Sequence, residues 1–242
     1  MTSRTTFQKN VEINLAFGNP KGNPDAPNWP AIKRQYDITL SEFNELDKAV
    51  KGNNWVQVMD GQGDVTTTND GIAHIAGFDE DREYSRLSDS DKLSLNQFGD
   101  FKGNKFDPNW SILRDHLEFS RPILESIQSL IETTDYVGIQ NTVPYVDELN
   151  RIFARLAGID SDLVLDAVYV SNLTKLIKDE DELQATIAKY AEQGVTVAVF
   201  GEFPTKYVKS DREQPFKGEI IPAGKFLKGI NFKEPDFSKV MA

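Results

Sequence analysis

The chain has 242 residues, with 27 Lys and Arg against 38 Asp and Glu, for a formal net charge of −11. That balance argues against a nucleic-acid polymer as partner, because such binding rests on neutralising phosphates with Lys and Arg. The absence of cysteine excludes disulfides, thiolate metal sites and a cysteine nucleophile, and no run approaches the roughly 18 apolar residues of a membrane span.

The N-terminal stretch MTSRTTFQKNVEINLAFG lacks the apolar core of a signal peptide, so a cytoplasmic protein is expected. The next passage, FGNPKGNPDAPNW at 17–29, returns as FGDFKGNKFDPNW at 98–110, with eight of thirteen positions identical. At the same offset of 81, Gly77 and Asp79 in AGFDED match Gly158 and Asp160 in AGIDSD. Slightly further on, SDSDK at 88–92 resembles SNLTK at 171–175. The chain therefore reads as a tandem repeat, with unit one at 1–92, unit two at 93–175 and an extension at 176–242.

Each unit reads as two helices. After the Pro27-Asn28-Trp29-Pro30 entry, Ile32, Tyr36, Leu40, Phe43, Leu46 and Val50 recur every three or four residues as a helical stripe. The following WVQVMDGQGDVTTTNDGIAHIAG is ambiguous, since its three internal glycines and its threonines are poor helix formers. Read locally it is a loop, yet it fails the EF-hand pattern and is no phosphate-binding fingerprint. The repeat favours a helix, because the matching part of unit two is plainly helical from about Tyr145: Leu149, Ile152, Phe153 and Leu156 share one face, and Gly158 suits a left-handed cap. Four such helices would pack as a bundle. In the extension, DEDELQATIAKYAEQ predicts a helix stopped by Gly194, and VTVAVF, KYVK and GKFLKG predict short strands. The expected fold is mainly α, a tandem-repeat helical bundle with a small α/β C-terminal extension.

Glu42 and Glu45 share one face of the first helix. If the second segment is helical, Gln57, Asp60 and Asp64 fall within about 60° of one another at about 100° per residue, beside Val58, Val65, Ile72 and Ala76. Packing the apolar faces together would converge Glu42, Glu45, Asp60 and Asp64. Such spacing is also what a solvated helix face carries. Converging carboxylates raise one another's pKa, and a divalent cation resolves the conflict. All-oxygen ligands favour Mg²⁺ or Mn²⁺ over zinc, which points to metal-assisted attack of water on a phosphate ester or anhydride.

The arrangement resembles the all-α nucleotide pyrophosphohydrolase superfamily, the MazG-like and phosphoribosyl-ATP pyrophosphohydrolase-like enzymes, phage-encoded members above all. The matching features are Glu42-x-x-Glu45, Gln57-x-x-Asp60, the AG-hydrophobe-D turns, Ser171-Asn172-Leu173-Thr174-Lys175, and the tail GKFLKGINFKEPDF. The resemblance implies Mg²⁺-dependent hydrolysis of a nucleoside triphosphate to the monophosphate and pyrophosphate, in a bacterial host's cytoplasm for a phage protein. It implies catalytic Glu42, Glu45 and Asp60, metal ligands Glu42, Glu45, Asp60 and Asp64, and substrate contacts from Asn172, Lys175, Lys225 and Lys228. Gln57 departs from the family's glutamate, which leaves open a degenerate relative that binds or sequesters a nucleotide without cleaving it. In unit two the offset puts Asn141 and Tyr145 where unit one has Asp60 and Asp64. Glu125-x-x-Gln128 is the best remnant there, and Pro144 is expected to interrupt the helix start. Unit two then stands in for a second subunit, and duplication either replaces homodimerisation or is built on by it. His74 and His116, the two histidines, read as packing residues before base contacts, and Trp29 and Trp110 as loop anchors.

Overall fold

The computed structural model describes residues 4–79, 102–104 and 107–242. The SDSDK stretch at 88–92, the end of AGFDED and most of the second loop's start lie outside them. The described chain is mainly helical, with a small antiparallel sheet near its C-terminus. Its helices are α1 (Thr6–Ala16), α2 (Trp29–Lys51), α3 (Trp55–Ala76), α4 (Trp110–Glu132), α5 (Tyr136–Ala157), α6 (Ser161–Leu173), α7 (Glu180–Glu192) and α8 (Ser238–Met241). None is long and apolar enough to cross a membrane.

Two long hairpins, α2–α3 and α4–α5, lie side by side, α2 against α4 and α3 against α5. The stripe expected on α2 is buried at Ile32, Tyr36, Phe43, Leu46 and Val50, and meets Val58, Val65 and Ile72 of α3. Leu149, Ile152, Phe153 and Leu156 of α5 enter the same core, so helices of both hairpins share one apolar interior.

Local features recur between the hairpins at an offset of 81. Asn28 and Asn109 cap α2 and α4, each side-chain oxygen accepting a backbone N–H at 3.2 Å. Asn53 and Thr134 hold the tight turns with φ of 52° and 54°, and Gly77 and Gly158 close α3 and α5 in the left-handed region. Gly22 N–H donates to the His74 carbonyl at 2.9 Å, as Gly103 N–H does to Arg155 at 2.8 Å. A Cβ on either glycine would come within 1.8 Å of a backbone carbonyl, of Ile75 or of Leu156. The glycines of the repeated passage thus let each entry loop lie against the end of the second helix of its hairpin.

The ambiguous segment is helical throughout α3, and its glycines explain themselves by packing. A Cβ at Gly61 would stand 3.0 Å from Leu46 Cβ, one at Gly63 2.6 Å from Val168 Cγ2, and one at Gly71 2.5 Å from Gln35 Nε2. Here α3 is the central rod, and small residues let α2 and α6 approach it closely. The helix-propensity cost of glycine, about 1 kcal/mol each, is offset by burial of the larger neighbours. The threonines are accommodated too: Thr66 and Thr67 are buried, and Thr68 Oγ1 donates back to the Asp64 carbonyl at 2.8 Å.

Three features depart from expectation. Pro144 does not interrupt a helix start, for α5 begins at Tyr136 and runs through it; nor does α5 become helical only from Tyr145. Two helices beyond the hairpins also pack on α3. One is α1, started by a Thr5–Gln8 capping box, and the other is α6, capped by Asp160. Half of the buried residues of α1 are asparagines, Asn10 and Asn14 beside Phe7 and Ile13, so its stripe carries little apolar signal.

In the extension, α7 is capped by Asp179, and Gly194 follows it at φ 72°. Strands β1 (Val197–Phe200), β2 (Tyr207–Ser210) and, after the hairpin β3 (Gln214–Phe216)–β4 (Glu219–Ile221), β5 (Phe226–Leu227) follow. The order β1-β2-β5 is antiparallel, with Val199 opposite Val208 and Val208 opposite Leu227. The β3–β4 hairpin was not anticipated. A separate apolar cluster joins this sheet to α7 through Ile177, Leu183, Tyr190, Val208 and Leu227. The chain then returns to the main core, where Phe237 and Val240 are buried.

Candidate functional site

The apolar stripe of α2 leaves Glu42 half-buried at its border and Glu45 exposed beside it. Across the α2–α3 contact, where Gly61 meets Leu46, Asp60 and Asp64 are both half-buried. A third element completes the cluster. Because Val164 and Val168 of α6 close on Gly63, the residues after α6 are delivered to the same end of α3. Lys175 lies there, its ammonium donating to Asn172 Oδ1 at 2.6 Å, and Asn172 is itself buried.

Mutual electrostatics place these groups in one neighbourhood. Burial pushes the Glu42 carboxyl up to about 8, aided by the charges of Asp64 and Glu45, with Lys175 and Lys225 pulling the other way. Asp64 is pushed up to about 7, again by burial first; Lys175 opposes this, while Asp60 and Glu45 add to it. Asp60 is raised by burial and by Glu234, against Lys228 and Lys175. Burial in turn pulls the Lys175 ammonium below the usual lysine range, and Asp64 and Glu42 resist that fall. Every charged group expected at the site, Glu42, Glu45, Asp60, Asp64, Lys175, Lys225 and Lys228, is therefore felt by another of the set. Gln57 is exposed in the first turn of α3 and adds no charge.

The site is charged but unpaired. Among the described residues, the side chains of Glu42, Glu45, Asp60 and Asp64 make no hydrogen bond or ion pair, and the Lys175 side chain hydrogen-bonds Asn172 alone. Half-buried carboxylates left without partners are costly unless a cation joins them. As they stand, no three acidic or histidine side chains among the described residues are drawn together closely enough to hold a metal ion. The donor set nevertheless fits magnesium in kind: it is all oxygen, and magnesium keeps several waters and takes substrate phosphates, so it needs no closed protein cage.

The tail adds further charge to the neighbourhood. Lys228 lies in the strap that follows β5 and pairs with Glu234 at 2.9 Å. Glu234, which sequence reasoning passed over, is the leading charge acting on Asp60 after burial. It stands inside the quoted tail motif, two residues before Asp236, and an acidic residue beside a lysine-rich motif was the available signal.

Other polar features lie elsewhere. A cavity of about 710 Å³ opens on another face of α3, lined by Arg4, Lys9, Asp70, Asp147, Arg151 and Asp166 among others. Its charges meet one another, Lys9 with Asp166 and Arg151 with Asp147, and none of the expected site residues lines it. Both histidines pack. His74 Nε2 donates to the Asn19 carbonyl at 2.9 Å and holds the entry loop, and His116 Nε2 donates to the Leu149 carbonyl at 2.9 Å, tying α4 to α5. Trp110 meets Trp55 edge to face at 6.1 Å, so the first turns of α4 and α3 are joined and both rings pack against the core.

Among known proteins, the chain is similar to Uncharacterized protein L479 of Acanthamoeba polyphaga mimivirus. The two are 25% identical over 253 residues, spanning 98% of this chain and 96% of that protein. The alignment thus takes in the hairpins, α6 and the tail. No family model matches the chain, and no solved structure matches it.

Proposed function

We propose that the chain is a Mg²⁺-dependent nucleoside triphosphate pyrophosphohydrolase, a MazG-like bundle of two duplicated hairpin units in which α2 and α3 carry the active site. What supports this reading is that Glu42, Glu45, Asp60 and Asp64, without hydrogen-bond or ion-pair partners, act electrostatically on one another and on Lys175, Lys225 and Lys228. The features recurring every 81 residues support the duplicated units, and the second hairpin, lacking those acids, serves as a built-in partner. A viral relative supports a virus-encoded chain, and shaping a nucleotide pool is the role that the proposed chemistry would give it.

In this reading Glu42, Glu45, Asp60 and Asp64 would hold magnesium, or manganese in its place. When bound, the metal supplies positive charge to the phosphate oxygens. Lys175, Lys225 and Lys228 hold the polyphosphate, and Asn172 keeps the Lys175 ammonium aimed at it. One of the four carboxylates orients the attacking water and accepts its proton as the water oxygen bonds to the α-phosphorus. The α–β anhydride bond breaks, and pyrophosphate leaves the monophosphate.

Incubating the chain with each common NTP and dNTP plus Mg²⁺ tests this: at least one is expected to give monophosphate and pyrophosphate in multiple turnovers. Tight binding without turnover would instead favour a nucleotide-sequestering relative, the reading that Gln57 suggests. Neither binding nor turnover would remove both.

A further inference from the structure

The strap over the acidic cluster carries one aromatic ring that the fold does not use. Phe232 is half-buried, yet it belongs to none of the apolar clusters among the described residues. What lies against it instead is charge: Lys228 Nζ is 4.3 Å from the ring centroid and Lys175 Nζ 6.0 Å. Both ammonium groups also act on Asp60 and Asp64 of α3, and Lys175 acts on Glu42 of α2 as well.

The ring's position is fixed by its neighbours. On one side, Tyr190 OH donates to the Lys228 carbonyl at 3.0 Å and Ile230 N–H donates to Thr186 Oγ1 at 3.2 Å. On the other, Lys233 N–H donates to Thr174 Oγ1 at 2.9 Å and Ser171 Oγ donates to the Lys233 carbonyl at 2.8 Å. Further along, Phe237 is buried in the main core. A short strap pinned at both ends thus presents the ring from a fixed backbone. A backbone held in this way removes part of the ordering cost that a mobile loop would add on binding.

We propose that Phe232 is the stacking platform for the base of the nucleotide taken by this site, with Lys175 and Lys228 beside it on the phosphates; the inference rests on the pyrophosphohydrolase reading. A nucleotide is the ligand class that joins a flat π-face to a polyanion through a short linker, and here an aromatic ring has two ammonium groups within 6.0 Å of its centroid. Stacking on a single ring tolerates every base, since each has a π-face. The platform therefore predicts affinity for nucleotides as a class, with larger purines favoured over pyrimidines.

The test compares the wild type with Phe232→Leu and Phe232→Trp, titrating the Mg²⁺-loaded chain with a non-hydrolysable nucleoside triphosphate and with inorganic tripolyphosphate. Phe232→Leu is expected to weaken the nucleotide about tenfold or more while leaving tripolyphosphate within twofold, and Phe232→Trp is expected to retain nucleotide affinity. In steady-state assays the loss should appear in KM, with kcat little changed. Equal weakening of both ligands would make the ring a shield for the lysines, and no change in either would make it surface; both results overturn the platform. Absence of wild-type turnover would sink the hydrolase reading alone, because the difference between the two ligands would still report on Phe232. If neither ligand binds the wild type, both readings fall.

Discussion

Asp64→Asn is expected to lower turnover by at least 10²–10³-fold, the loss typical when a charge aimed at the transition state is removed, while raising the melting temperature of the metal-free chain at pH 8. The two effects share one cause. Asp64 is half-buried, its carboxylate has no hydrogen-bond or ion-pair partner, and burial disfavours its charge by more than Lys175 offsets, with Asp60 and Glu45 adding to the cost. Asparagine keeps the shape and removes the charge, so the folded chain is relieved of a desolvated charge that function requires. Each kcal/mol relieved shifts the midpoint by about 2–4 °C in a chain of this size. A structural carboxylate would behave differently, because its loss lowers stability and activity together. The paired measurement is thermal melting in EDTA at pH 8 alongside the rate of pyrophosphate release. A fall in both would remove Asp64 from the site.

The second large effect is on pH and metal. The folded-state pKa of Glu42, about 8 against an ordinary 4.5, and of Asp64, about 7 against 3.8, are both raised. Groups raised in this way stabilise the fold fully below their unfolded values and lose that contribution as pH climbs through the folded ones. His116 runs the other way. Burial lowers it from 6.5 to about 4, so its contribution is complete above pH 6.5 and is lost as pH falls toward 4. The window from pH 6.5 to 8.5 therefore excludes the histidine and leaves the raised carboxylates, with the lowered Lys175 ammonium opposing them. Across it, the metal-free midpoint is expected to fall, and Glu42→Gln should flatten that slope. Added Mg²⁺ should stabilise the chain more at pH 8.5 than at 6.5, since binding to the folded state alone adds stability by mass action and competes with protons for the same oxygens. A midpoint independent of both pH and Mg²⁺ across this window would mean that the carboxylates are solvated and separate.

The parts of this fold that sequence made legible are those where one chemical signal dominated. The α2 stripe from Ile32 to Val50 repeats at helical spacing with large apolar residues, and those side chains do line the core. The helix faces of Glu42, Glu45, Asp60 and Asp64 were legible for a related reason, once α2 and α3 are helices packed through their apolar faces, but among the described residues no three acids are drawn together closely enough to hold a metal ion. Local propensity was misleading within α3. Gly61, Gly63 and Gly71 read as a loop because glycine's value there lies in neighbours remote in sequence, Leu46, Val168 and Gln35. The helix α1 escaped notice because it buries Asn10 and Asn14 through hydrogen bonds, Asn10 Nδ2 to Asp70 at 2.6 Å among them. Phe232 and Glu234 stood in plain view within the tail motif. What they meet is decided by how the strap is tied to α6 and α7, and no spacing along the chain encodes that.

Anomalous diffraction from crystals grown with Mn²⁺ and a non-hydrolysable nucleoside triphosphate would test most directly whether the acids of α2 and α3 act as one centre. The expected result is a manganese peak between the two helices, within coordination distance of carboxylate oxygens from both and of the triphosphate, with Lys175 against the phosphates. A metal–nucleotide complex bound elsewhere, for instance in the cavity beside Asp70 and Asp147, with Glu42 and Asp64 left in solvent, would contradict the account.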